Sequence, residues 1–273
     1  MCLIAALLLF TGHCLVRFAG PRLSIEYIRG TDGIWIAALS VLLLGAGVIL
    51  LNFPLRVQSC RRQMAFAAVG MLLFTAAVSA VTPGFSDVTE TVDFSGESTL
   101  ILKTDGSGRT VRYRRIFPLL ARKGEAFPYT TELPLKTQWL TGDACAVTYR
   151  SPDDGAVHQY IATFGDRSPA SYYHVFSAVI GNWHADVPAG SGIALTVSDR
   201  AITVQAGNRT ETFAPEDCVQ FGTLALALCR DGLPQWTLVL GEDCRLEEGR
   251  ADGGSILLCR VSMGKTAPIV FHL

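Results

Sequence analysis

The sequence predicts a membrane α-helical part at the N-terminus joined to a mainly-β, extracytoplasmic domain, antiparallel and sandwich-like with one short helix. Three observations carry this reading. Residues 1–82 hold the long apolar runs with six Arg and two acids, a net charge of +4, whereas residues 83–273 hold 17 basic and 22 acidic side chains, a net −5. Only 17% of the 273 residues are charged and 49% are hydrophobic, against about 25% charged in an ordinary soluble chain. After the breaker pair Pro83-Gly84, short alternating runs recur between turn residues, which is the pattern of antiparallel strands.

From Gly33 to Leu51 the only polar side chain is Ser40, and from Met64 to Val81 the only ones are Thr75 and Ser79. Lipid supplies no partner to an open peptide group, so such runs are helical. At 1.5 Å per residue each nearly crosses a hydrocarbon core of about 30 Å. Spans are therefore expected at about 33–53 and 64–82. A third is expected at 1–19, which is apolar except for Thr11, His13 and Arg17. The rival reading of that segment, a secretory signal, lacks a basic n-region and a prompt small-x-small cleavage site. His13 falls within this span, about one turn from Arg17, where an interfacial position explains it without function. Ala38 with Gly45, and Ala76 with Ala80, are expected where helices approach closely.

Orientation follows from basic residues near the span ends. The 54–63 link carries Arg56, Arg61 and Arg62, and the flank from Pro83 to Leu102 carries no Lys or Arg. This places the link in the cytoplasm and the C-terminal domain outside, a multi-pass plasma-membrane protein. The first link, with Arg17, Arg22 and Arg29, opposes this assignment, and the bare flank breaks the tie.

In the outer domain, residues 110–114, 146–149 and 193–197 alternate as half-buried strands. Residues 201–205 and 209–213 bracket Ala206-Gly207-Asn208 as a hairpin, and 223–229 and 235–240 flank a second turn at 230–234. Residues 255–261 and 269–273 give late strands. A helix is expected from the Ser168 cap and Pro169 to Ile180, with Tyr172, Phe176, Val179 and Ile180 as its stripe, His174 facing away from it.

The eight cysteines include no C-x-x-C, and gaps of 10, 14 and 14 residues among the last four fit no zinc pattern. Cys145, Cys218, Cys229, Cys244 and Cys259 read first as small buried hydrophobes, with one or two disulfides as the alternative. No metal or other cofactor is expected. His184 and Asp186 are the weak candidates for catalysis, as a base with an orienting carboxylate, yet no nucleophile or further ligand stands at a recognisable spacing. Nucleic acid is excluded as the main partner, since the net charge is −1 and phosphate binding needs a basic excess.

The most informative cluster is Arg109, Arg112, Arg114, Arg115, Arg122 and Lys123: six cations and no acid in 15 residues, inside a net-acidic region. On a strand, Arg112 and Arg114 project to one face while Val111 and Tyr113 face the core. Arg115 breaks the alternation, as at a bulge. The plain alternative is a solvated strand face. The functional expectation is an anion-binding patch, and with it a membrane-anchored binding protein, either an anchored recognition domain or an accessory subunit of a membrane assembly. Its partners would be the lipid bilayer and an anionic surface or an acidic protein. The alternatives are a membrane-tethered hydrolase using His184 and Asp186, and a membrane protein protecting against a toxin.

Overall fold

In a computed structural model of the chain, which describes residues 1–52, 60–81, 88–166, 173–186 and 192–273, the first elements are α1 (Cys2–Phe18), α2 (Gly20–Leu23), β1 (Ile25–Tyr27), α3 (Gly30–Asn52) and α4 (Cys60–Val81). Among the described residues one helix is long and apolar enough to cross a membrane, α3 over Gly30–Leu50, 21 residues with a mean hydropathy of 2.4. The expectation of two or three such spans is corrected to one. The 17 residues of α1 rise only about 26 Å, short of a core of about 30 Å. In α4 the apolar stretch among the described residues, Phe66–Ala80, is shorter again.

The hydroxyls inside these runs are satisfied within their own helices. Ser40 donates to the Ile36 carbonyl at 2.8 Å, Thr75 to Met71 at 2.8 Å and Ser79 to Thr75 at 2.9 Å, as an apolar environment requires. Close helix approach falls at two glycines. A Cβ on Gly47 would stand 2.6 Å from Leu3 Cδ2, and one on Gly45 would stand 3.2 Å from Met71 Cε. Ala38, Ala76 and Ala80 are instead exposed; of the four expected small contacts, Gly45 holds.

The chain next forms β2 (Thr89–Ser95), β3 (Ser98–Thr104), β4 (Thr110–Phe117) and β5 (Leu120–Ala126). With β1 they make a five-stranded sheet in the order β1-β5-β4-β3-β2. A strand from the link between α1 and α3 is thus the edge strand beside β5. The first compact unit consists of Met1–Thr91, Ile101–Gly106 and Val111–Ala126.

The second unit consists of Val92–Leu100, Ser107–Thr110 and Phe127–Leu273. In it β6 (Glu132–Thr141), β7 (Ala144–Arg150) and β8 (Val157–Thr163) form a three-stranded antiparallel sheet. A short helix, α5 (Val175–Ala178), follows. The remaining strands are β9 (Gly181–Ala185), β10 (Ile193–Val197), β11 (Ile202–Ala206), β12 (Arg209–Phe213), β13 (Cys218–Phe221), β14 (Ala225–Arg230), β15 (Leu233–Leu240), β16 (Arg245–Glu247), β17 (Arg250–Gly253), β18 (Ser255–Arg260) and β19 (Ile269–His272). Nine of these make one sheet, in the order β12-β11-β10-β9-β19-β18-β15-β14-β13, and β16 pairs with β17.

Strand β14 shows why the sequence folds this way. Its alternation sends Leu226 and Leu228 into one core with Trp236, Leu238 and Phe271, and Ala225, Ala227 and Cys229 into a second core with Leu140, Ala146 and Ile161 of the three-stranded sheet. A strand buried on both faces has no polar side to display, so it reads as a continuous apolar run. The nine-stranded sheet also curls on itself. Glu211 of its edge strand β12 accepts from Trp236 Nε1 of β15 at 2.7 Å and from Arg260 of β18 at 3.2 Å.

The β11–β12 hairpin turns at Gly207-Asn208 as expected, with Gly207 at φ 61°. The β14–β15 turn is tighter than expected, Asp231-Gly232, with φ of 52° and 76°, the left-handed pair of a two-residue hairpin turn. Of the expected helix to Ile180, one turn is described, with Val175, Ala178 and Val179 buried in the first core and His174 exposed; Ser168, Pro169 and Tyr172 lie outside the described residues.

Candidate anion-binding hairpin

Strands β4 and β5 form a hairpin in register Val111↔Ala126, Tyr113↔Lys123, Arg114↔Arg122, Arg115↔Ala121 and Phe117↔Leu120, with irregularities on either side of the Tyr113–Arg115 stretch. Val111 and Tyr113 are buried, Arg112 is half-buried and Arg114 is exposed, which matches the alternation. Arg112 sits at the first irregularity, where a Cβ on Gly124 would stand 2.9 Å from the Arg112 carbonyl; glycine permits that approach. Arg115, Arg122 and Lys123 are exposed. Arg109 is exposed too, and belongs to the second unit.

The register sets Arg114 directly opposite Arg122. Two like charges facing each other across paired strands cost roughly 0.2–1 kcal/mol relative to neutral neighbours. Among the described residues, Arg114, Arg115, Arg122 and Lys123 have no acid partner to offset this. Ile25 pairs with Arg122 and Tyr27 with Leu120, so strand alternation puts Ile25 and Tyr27 on the face that carries Arg114 and Arg122. On that face the Tyr27 hydroxyl bonds His13 Nδ1 of α1 at 3.0 Å, with the rings stacked at 5.7 Å. Burial pushes the Tyr27 phenol up to about 12, which keeps it neutral.

The opposite face is fastened by a half-buried cation. Lys103 Nζ donates to the Tyr27 carbonyl at 2.7 Å and to Glu26 Oε2 at 3.3 Å, and lies 4.0 Å from Glu90 Oε1. Tyr113 donates to the same Glu26 oxygen at 3.2 Å; its phenol is raised by burial first and by the Glu26 charge second. Glu90 in turn accepts from the Gly30 amide at 2.7 Å, the first residue of α3. The sheet is thereby tied to the start of the apolar helix.

What sequence reasoning missed is the hairpin tip. Ile116, Phe117 and Leu119 are 41%, 68% and 45% exposed, three large apolar side chains between two pairs of cations. The signal was present in Ile116-Phe117-Pro118-Leu119-Leu120, an apolar run interrupting the basic stretch without a core to enter.

No family model, no curated protein and no solved structure matches this chain. Its function is therefore read from its own geometry.

The other candidate residues are placed differently. His184 on β9 and His272 on β19 are direct cross-strand partners, and both are exposed. The Asp186 amide donates to the Val270 carbonyl at 2.8 Å, continuing the ladder, and its carboxylate is exposed. Among the described residues the His184 and Asp186 side chains make no hydrogen bond. A histidine passed over in the sequence is better held: buried His158 bonds Asp154 at 2.8 Å and stacks on Tyr129 at 4.0 Å. Hydrogen bonds from the Thr130 hydroxyl and amide hold Asp153 below the usual carboxylate range, so this corner is a fastened turn. Cys145, Cys229, Cys244 and Cys259 are buried, which fits the reading of them as small buried hydrophobes.

Proposed function

We propose that the chain is a membrane-anchored binding protein. In this reading α3 holds it in the plasma membrane, its β-rich part lies on the outer side, and the β4–β5 hairpin presents the binding surface. The observation that carries it is the pairing of β1 with β5. β1 precedes α3 and β5 follows α4, so the two strands can hydrogen-bond only on one side of a bilayer. If α3 crosses, α4 must cross back. This supports a multi-pass topology, in which the apolar run from Met64 to Val81 carries the return. The exposed apolar side chains of the helices fit the same picture: Leu42, Ile49 and Leu50 on α3, and Phe66, Leu72 and Leu73 on α4, are each more than half exposed. Trp35, 72% exposed near the start of α3, sits where an interfacial aromatic belongs.

The outward orientation rests on the Arg-bearing 54–63 link and the flank to Leu102 that bears no Lys or Arg. The Cys218 thiol is compatible with it, because burial pushes it up to about 12 and thiolate is the species that oxidises. Membranes carrying the full chain, washed in alkaline carbonate, should retain it in the pellet. Release into the supernatant with the β signature intact would refute anchoring.

A further inference from the structure

The β4–β5 hairpin is placed by backbone hydrogen bonds to the link that enters α3. The Ile28 amide donates to the Leu119 carbonyl at 2.9 Å and the Lys123 amide to the Ser24 carbonyl at 2.7 Å. Ile28 lies two residues before the first residue of α3. The tip at Phe117–Leu119 therefore stands at the level where the apolar helix begins, and among the described residues nothing buries its apolar side chains. Behind them stand Arg114 and Arg122, directly opposed and unpaired. The same link exposes Arg17, Arg22 and Arg29. An apolar tip backed by cations, at the depth where a span starts, matches an interfacial segment: apolar groups enter the acyl boundary and cations meet headgroup phosphates.

We propose that the β4–β5 hairpin is an anionic-lipid site, with Phe117 and Leu119 seated in the bilayer that holds α3 and with Arg114 and Arg122 gripping one phospholipid phosphate between them. This rests on the reading of α3 as a span. The occupant is a lipid of that bilayer, because the hairpin is hydrogen-bonded to the very link that enters it. Arginine suits the site, since its planar fork holds two phosphate oxygens at once. An anion between the two guanidiniums also removes the repulsion that the register imposes. The sequence pattern then has a reason: the tip is apolar because it leaves water, and its flanks are basic because they stop at the headgroups.

The test uses the full chain reconstituted in vesicles of phosphatidylcholine alone or mixed equally with phosphatidylglycerol. Phe117→Trp adds an indole at the tip, and brominated lipids report its depth. The added emission should be quenched by brominated lipid and shielded from acrylamide, more so with phosphatidylglycerol present. The full chain purified from the mixed vesicles should retain phosphatidylglycerol over phosphatidylcholine, and R114Q and R122Q should each lower that preference about fivefold. A tip indole open to acrylamide in both vesicles would overturn the proposal and return the patch to an acidic protein partner. Equal retention of the two lipids, which both carry a phosphate, would overturn the proposal of an anionic-lipid site. Trp35 is the internal control: comparison with Trp35→Phe reads whether α3 is in lipid. If Trp35 is quenched and the tip is not, the hairpin proposal alone fails; if neither is, the anchoring reading fails and takes this one with it.

Discussion

At the scale of single residues, burial and hydrogen-bond partners together decide which groups carry charge. Glu211 is the clearest case. Burial acts to raise its pKa, but hydrogen bonds from Trp236 and Arg260 and the Arg260 charge outweigh it, and the carboxyl is held below its usual range. A carboxyl with a lowered folded-state pKa contributes stability that is full above the unfolded-state value and is lost as the pH falls through the folded-state value. Glu211→Gln should therefore lower the melting temperature at neutral pH, and the gap to wild type should close as the pH drops below the carboxylate range. A gap independent of pH would show that the charge is not what matters. Trp236→Phe leaves a half-buried carboxylate oxygen without its donor, at a cost of about 1 kcal/mol. Cys218 works the other way. With the thiol pushed up to about 12 by burial, helped by Cys229 and Asp217, almost none of it is thiolate at neutral pH. Maleimide should label it at a rate far below that of a free thiol until the chain is denatured; rapid labelling of the folded protein would contradict the environment described.

At the scale of elements, local sequence and structure agree wherever a strand keeps one dry face or two. The hairpins at 202–213 and 225–240 could be read from alternation and turn residues, because a two-residue turn needs positive φ and only a few side chains tolerate it. Gly232 at φ 76° is such a position. Gly232→Val should cost about 1–2 kcal/mol and lower the melting temperature, whereas Gly70→Ala, where nothing lies within 4 Å of the added carbon, should leave it unchanged or raised. The helices were less legible. Hydropathy shows where apolar runs lie, but the contacts at Gly45 and Gly47 depend on which face meets which neighbour, and composition does not encode that. The candidate site was half legible: six cations in 15 residues announced themselves, and the alternation of Arg112 and Arg114 held. The facing of Arg114 by Arg122, and the pairing of β5 with β1, did not. That pairing joins residues about 95 positions apart, and a three-residue strand carries too little alternation to be seen.

For the whole molecule the same long-range pairing organises the account. In the proposed topology it makes a crossing by α3 require a return by α4, and it pairs the basic hairpin with the first link. The basic residues alone were ambiguous, because both links carry three Arg; the pairing of β1 with β5 puts the first link and the basic hairpin on one side, and which side that is remains for topology reporters to decide. The measurement that tests this most directly is a pair of topology reporters in the full chain, one after Leu273 and one within 56–62. An enzyme active only outside the cytoplasm should be active after Leu273 and silent within 56–62. Reporters on the same side of the membrane, or the reverse assignment, would contradict the account.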